Sequence, residues 1–193
     1  HTLFPYTTLF RSWVNIIMDG PPALSLGLEP VRDIVLKRKP VNRNSSIITK
    51  NMLITMILNA IYITAVLMIQ MIFNPLGAEV PPAGFKGPNE METVLFALFA
   101  FNALFNAFNC REFGTNSIFP YFKNNKVALQ IIGITAVVQI IITELFSGFF
   151  NAVSLSPIMW IKVILTSCLV IAINEVIKLI IRNVRKINKI IRS

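Results

Sequence analysis

Residues 13–22 read Trp13-Val14-Asn15-Ile16-Ile17-Met18-Asp19-Gly20-Pro21-Pro22, an apolar run with one amide and one carboxylate, then a glycine and two prolines. On an α-helix Asn15 and Asp19 stand at i and i+4, one above the other on a single face. Gly20, Pro21 and Pro22 predict that this helix stops there. A carboxylate within an apolar helix is costly, and in a membrane setting it marks a functional-site hypothesis. Two oxygen-bearing side chains beside a helix break that frees carbonyls suit a hard cation. The same spacing also fits the capped end of a soluble helix. Spacing alone leaves both readings open.

The rest of the chain decides which setting applies. Its 193 residues are 54% hydrophobic and 14% charged, with a mean hydropathy of +0.66. Soluble domains run about 45–50% apolar and about 25% charged. The apolar excess is gathered into long runs, which points to an integral membrane protein. A net charge of +9 would suit nucleic acid. The basic residues, however, cluster at the ends of apolar runs, and positive-inside topology explains them better. No nucleic-acid partner is expected. Cys110 and Cys168 have neither metal-ligand nor disulfide-framework spacing and read as packing residues. The single histidine, His1, leaves no basis for His-dependent catalysis or a zinc site.

At 1.5 Å per residue, about 20 residues cover the roughly 30 Å hydrocarbon core. Runs at 52–73, 93–110, 127–146 and 159–181 meet that length. With a partial helix at 13–19 they predict an all-α fold, a polytopic membrane helix bundle of one part-helix and four full spans. The loops at 20–47 and 111–126 and the tail at 182–193 are basic and belong on the cytoplasmic side. The loops at 74–91 and 147–157 are poor in basic residues and belong outside. The C-terminus therefore falls in the cytoplasm.

Several polar residues punctuate the spans. Asn102, Asn106 and Asn109 fall at i, i+4 and i+7 and share one helical face. Such a stripe faces protein or an ion path, and hydrogen bonding between helices is the simpler role. Glu144 lies near an outer helix end, within reach of water or headgroups. Trp160 reads as an interfacial anchor and Lys162 as a snorkelling cation. Glu175 and Lys178, at i and i+3, can pair. The tail RNVRKINKIIRS is basic and amphipathic. It suits topological anchoring first, and calmodulin or anionic lipid second. Residues 1–12 (HTLFPYTTLFRS) carry Pro5, hydroxyls and Arg11 where a membrane helix should be apolar. They read as a foreign or mis-joined segment, and are set aside from the fold.

Residues 13–30 (WVNIIMDGPPALSLGLEP) closely resemble the sixth membrane helix and following loop of P-type cation pumps of the calcium-ATPase group. The motif is W-V-N-x-x-x-D, then small residues and prolines, then E-P. The resemblance implies that Asn15 and Asp19 are oxygen ligands to the transported ion, calcium. Met18 stands where two-site pumps carry a threonine ligand, and a thioether is a poor ligand for a hard cation. The stretch LKRKPVNRN resembles the loop between the sixth and seventh helices. FNALFNAFNCRE resembles the eighth, with Ala103 where two-site pumps place a glutamate. The stretch from Ser154 to Asn183 resembles the tenth. Met18 and Ala103 together imply a one-site, plasma-membrane-type variant.

The family's ATP-driven chemistry needs a phosphorylated aspartate in D-K-T-G-T, a nucleotide-binding domain and an acidic magnesium loop. None is in these residues, whose only aspartates are Asp19 and Asp33. The chain is expected to be the C-terminal membrane part of a larger pump, inactive alone. ATP and magnesium would bind only in the missing part. The rest of that pump and the lipid bilayer would be its partners. Two alternatives stay open at this point. One is transport of another cation, as in sodium/potassium-type pumps; the other is a stand-alone membrane scaffold or regulator.

Overall fold

The computed structural model describes residues 20–28, 46, 48–85, 87–112, 116–118, 125–145, 147 and 152–191. Five helices lie among them: α1 (Gly20–Gly27), α2 (Lys50–Phe73), α3 (Glu90–Asn109), α4 (Lys126–Leu145) and α5 (Pro157–Ile191). No strand occurs among the described residues. Four helices are long and apolar enough to cross a membrane, covering Met52–Phe73, Glu90–Asn109, Lys126–Leu145 and Pro157–Val184. The all-α membrane bundle expected from hydropathy is therefore the observed fold.

The reading of residues 20–47 as a loop is corrected at its start, because Gly20–Gly27 is helical. Proline breaks a helix interior by removing an N–H and clashing with the preceding turn. Pro21 and Pro22 lie in the first turn of α1 as described, where N–H groups have no intrahelical acceptor. Their carbonyls remain usable. Ser25 Oγ donates to Pro22 O at 2.7 Å, and Leu28 N donates to Leu24 O at 3.2 Å.

All four long helices start earlier than the apolar runs suggest, and two of the starts have a visible cause. Helix α3 begins at Glu90 and not Thr93, because Asn89 caps it by accepting from Glu92 N at 2.8 Å. Glu90 and Glu92 then sit in the first turn, where the helix dipole favours negative charge. Helix α5 begins at Pro157, with Met159 N donating to Ser156 Oγ at 3.2 Å. Proline at the first helical position is preorganised for that place. Helix α5 also runs on to Ile191, so the basic tail continues the last helix through that residue. Cationic residues near a helix C-terminus favour this continuation.

Helix α3 is the centre of the bundle. It packs most extensively on α5, and also meets α2, α4 and α1. One of its faces joins Val94, Ala97, Leu98 and Phe101 to Met159, Trp160 and Val163 of α5. Another joins Ala100, Leu104 and Phe108 to Ile132 of α4. The alanines admit neighbouring backbones closely, which is how membrane helices gain packing without a hydrophobic driving force. Phe101 fills the space between them. Its ring centroid lies 5.8 Å from Phe105 and 6.0 Å from Trp160, tilted at 59° and 62°. By contrast α2 exposes Leu53, Ile57, Ile61, Met68 and Ile72. In water that face would be an aggregation liability, whereas in lipid it is at home. Cys168 is exposed, so it does not fill the core; Cys110 is half-buried, and burial pushes its thiol pKa up.

Polar staples close the end of the bundle where α2 ends and α5 begins. Asn74 ends α2 in the left-handed conformation at φ 46°, which asparagine tolerates. Gln70 Nε2 donates to Asn74 Oδ1 at 2.8 Å, and Gln70 Oε1 accepts from Leu76 N at 3.3 Å. Lys162 reaches from α5 to donate to Leu76 O at 2.6 Å. Val153 N donates to Thr93 Oγ1 at 2.9 Å. Glu144 ties three donors: Ser154 Oγ, Leu155 N at 3.0 Å and Trp160 Nε1 at 2.7 Å.

Two outcomes follow from this packing. Glu144→Leu should speed amide hydrogen exchange at Leu155 and lower stability by about 1–3 kcal/mol, since it strips the acceptor from several partly buried donors. Glu144→Gln should cost less; unchanged exchange at Leu155 in the leucine variant would mean the staple holds nothing. Phe101→Ala should destabilise by about 3–5 kcal/mol through the cavity it leaves, read by unfolding in detergent.

Candidate functional site

Asn15, Asp19 and Met18, the residues on which the ion-site reading rests, lie outside the described residues, as does the segment 1–12. The structure does describe the helix that follows Asp19 in the chain. Pro22 and Ser25 of α1 are buried, and α1 packs on α4 and α3. Asn125 caps α4 by accepting from Ala128 N at 2.9 Å. The same side chain donates through Nδ2 to Ser25 O at 3.3 Å. The polypeptide leaving Asp19 is thereby fixed to the start of α4. Ser25 lies five positions beyond Gly20, about 7.5 Å along the helix axis. Among the described residues no group of three or more His, Cys, Asp or Glu could hold a metal ion.

The asparagine stripe of α3 resolves into contacts between helices. Asn102 and Asn109 are fully buried. Asn102 Nδ2 donates to Leu98 O at 2.8 Å and to Ser167 Oγ of α5 at 3.3 Å. Asn109 Nδ2 donates to Asn106 Oδ1 at 3.1 Å and to Val170 O of α5 at 3.2 Å. The stripe therefore faces protein and holds α3 to α5. Ala103 is half-buried beside it and offers no side-chain oxygen.

Apart from Lys178, the matching face of α5 carries no expectation from the sequence. Val163, Ser167, Val170, Asn174 and Lys178 are all buried, spaced by three or four residues as one helical stripe requires. That spacing was the available signal. Lys178 is only 3% exposed, so its charge needs a partner. Glu175 supplies it at 3.4 Å, as the i, i+3 spacing suggested. Glu175 Oε1 also accepts from Ile118 N at 3.2 Å, which ties the chain between α3 and α4 to α5.

The family described as "Cation transporting ATPase, C-terminus" matches residues 13–180. "Calcium-transporting ATPase 1, plasma membrane-type" of Oryza sativa subsp. japonica is 31% identical over 176 residues, covering 91% of this chain and 17% of the relative. "Calcium-transporting ATPase 12, plasma membrane-type" of Arabidopsis thaliana is 34% identical over 157 residues, covering 81% and 14%. "Calcium-transporting ATPase 4, plasma membrane-type" of the same plant is 33% identical over 181 residues, covering 92% and 17%. The chain thus spans about a sixth of the length of these relatives. An all-helical bundle with four membrane-crossing helices and a family match over most of its length place this chain in the cation-transporting ATPase C-terminal family.

Proposed function

We propose that this chain supplies the C-terminal membrane helices of an ATP-driven calcium pump, with Asn15 and Asp19 as ligands to the transported ion. The observation that carries the reading is the motif W-V-N-x-x-x-D at the start of the family match, in a chain whose relatives are named calcium-transporting ATPases. Calcium takes six to eight oxygen ligands and favours carboxylates and neutral carbonyls. Asp19 supplies the charge, and Asn15 a neutral oxygen one turn earlier. The further ligands, ATP and magnesium belong to the remainder of the longer protein, which is the chain's partner. The relatives are about six times longer than the matched segment, which supports that partnership.

In this reading the helices described above hold the site in place. Asn125 fixes the polypeptide downstream of Asp19 to α4. The stripe on α3 and α5 keeps their relative rotation. Met18 and Ala103 replace oxygen ligands of a second site, so one calcium moves per ATP. The basic loops at 20–47 and 111–126 and the basic tail at 182–193 support a cytoplasmic C-terminus.

Two measurements on the full-length pump test this. Asp19→Asn should abolish calcium-dependent phosphorylation by ATP; phosphorylation at ordinary calcium concentrations would defeat the ligand assignment. Transport stoichiometry in reconstituted vesicles should be one calcium per ATP, and a value of two would reject the one-site reading while leaving Asp19 as a ligand.

A further inference from the structure

Three polar atoms on the α3–α5 seam are buried without a partner among the described residues, Asn102 Oδ1, Asn109 Oδ1 and Asn174 Nδ2, and the last two complement one another. Asn109 Oδ1 is an acceptor with no donor, and Asn174 Nδ2 is a donor with no acceptor. Asn109 is fully buried, and Asn174 is 5% exposed. A buried amide left unpaired costs about 1–3 kcal/mol, and in a membrane bundle there is no bulk water to relieve it.

The geometry brings the two amides to one place. Asn109 Nδ2 donates to the Val170 carbonyl. In an α-helix that carbonyl also faces the backbone N–H of the residue four positions on, which here is Asn174. Side chains on a helix lean toward its N-terminus. The Asn174 side chain therefore leans back over the turn on which Asn109 is docked. Asn109 is thus docked on the turn that leads to Asn174, and the two amides are not hydrogen-bonded to each other.

We propose that a single buried water molecule bridges these two amides, donating to Asn109 Oδ1 and accepting from Asn174 Nδ2. Water alone among common small ligands both donates and accepts while carrying no charge. It suits a site whose free groups are one neutral donor and one neutral acceptor. A metal cation would be repelled by the amide donor, and an anion would find no compensating charge in these two amides. Buried waters typically make two to four hydrogen bonds to otherwise unpaired groups. They bridge such groups nearly as well as a direct contact. The water would make the junction of α3 and α5 a three-part contact of Asn109, Asn174 and solvent, below the Asn102–Ser167 bond in the same seam.

The experiment is proton-detected solid-state NMR of the chain in lipid bilayers, with 15N-labelled asparagine and magnetisation transfer from water. The side-chain amide of Asn174 should show a water cross-peak that Asn174→Ser deletes and Asn109→Leu weakens at least twofold. An Asn174 amide with no transfer from water, or one in direct contact with Asn109, would overturn the proposal. Should either variant fail to insert, a map of the unmodified protein that resolves ordered waters decides the matter. Density bridging the two amides supports the water; a gap without density, or a direct amide–amide bond, rejects it.

Discussion

Hydrocarbon offers no hydrogen-bond partners, and that constraint shapes the buried polar residues of the described spans. Backbone groups meet it by forming helices. Side chains meet it by turning inward. Asn102, Asn109, Ser167 and Asn174 all lie on the faces where α3 and α5 touch, and none of them is exposed. Leu53, Ile57 and Ile61 take the opposite place on α2, where exposure to lipid costs nothing. The bundle is thus inverted only in part. Its core is mixed apolar and amide, and its outside along the spans is mainly apolar, with Thr64 and Gln130 among the exposed exceptions.

The same constraint explains where charge is allowed. Lys178 is buried, but it sits toward the basic end of α5 and has Glu175 at 3.4 Å. Glu144 and Lys162 lie at the other end, each bonded to backbone or side-chain groups of a neighbouring segment. Charged residues therefore act as ties between segments at the two ends of the helices. The middle of the bundle is left to neutral amides and hydroxyls. Breaking one partner of such a tie leaves an uncompensated polar group, so each tie specifies its arrangement more strongly than its net energy suggests.

Much of this fold is legible in the sequence because hydropathy and helical spacing are local properties. The four long helices follow from their apolar runs, and the Asn102–Asn106–Asn109 face follows from i, i+4, i+7. What misleads is chemistry that hydropathy does not register. Gly20-Pro21-Pro22 looks like the start of a loop, yet proline is tolerated in an opening turn, and Gly20–Gly27 is helical. Glu90 looks like a loop residue, yet Asn89 caps the helix that begins there. Cys168 sits in an apolar run and reads as core, but its face of α5 is the exposed one. The bond from Asn125 to Ser25 joins residues 100 apart, which no local pattern encodes. The candidate ion ligands are the reverse case. Asn15 and Asp19 are candidates through their motif and its resemblance to a family, spacing alone leaves a capped soluble helix equally open, and both lie outside the described residues.

The central claim is that Asp19 and Asn15 form part of an oxygen cage for calcium within a helix bundle of this family. The most direct measurement is an experimental map of the full-length pump with calcium bound, at a resolution that places the ion. The account predicts calcium about 2.3–2.6 Å from an Asp19 carboxylate oxygen, with the Asn15 amide oxygen in the same shell. Calcium held elsewhere in the membrane region, or an Asp19 carboxylate turned away from it, would contradict the account.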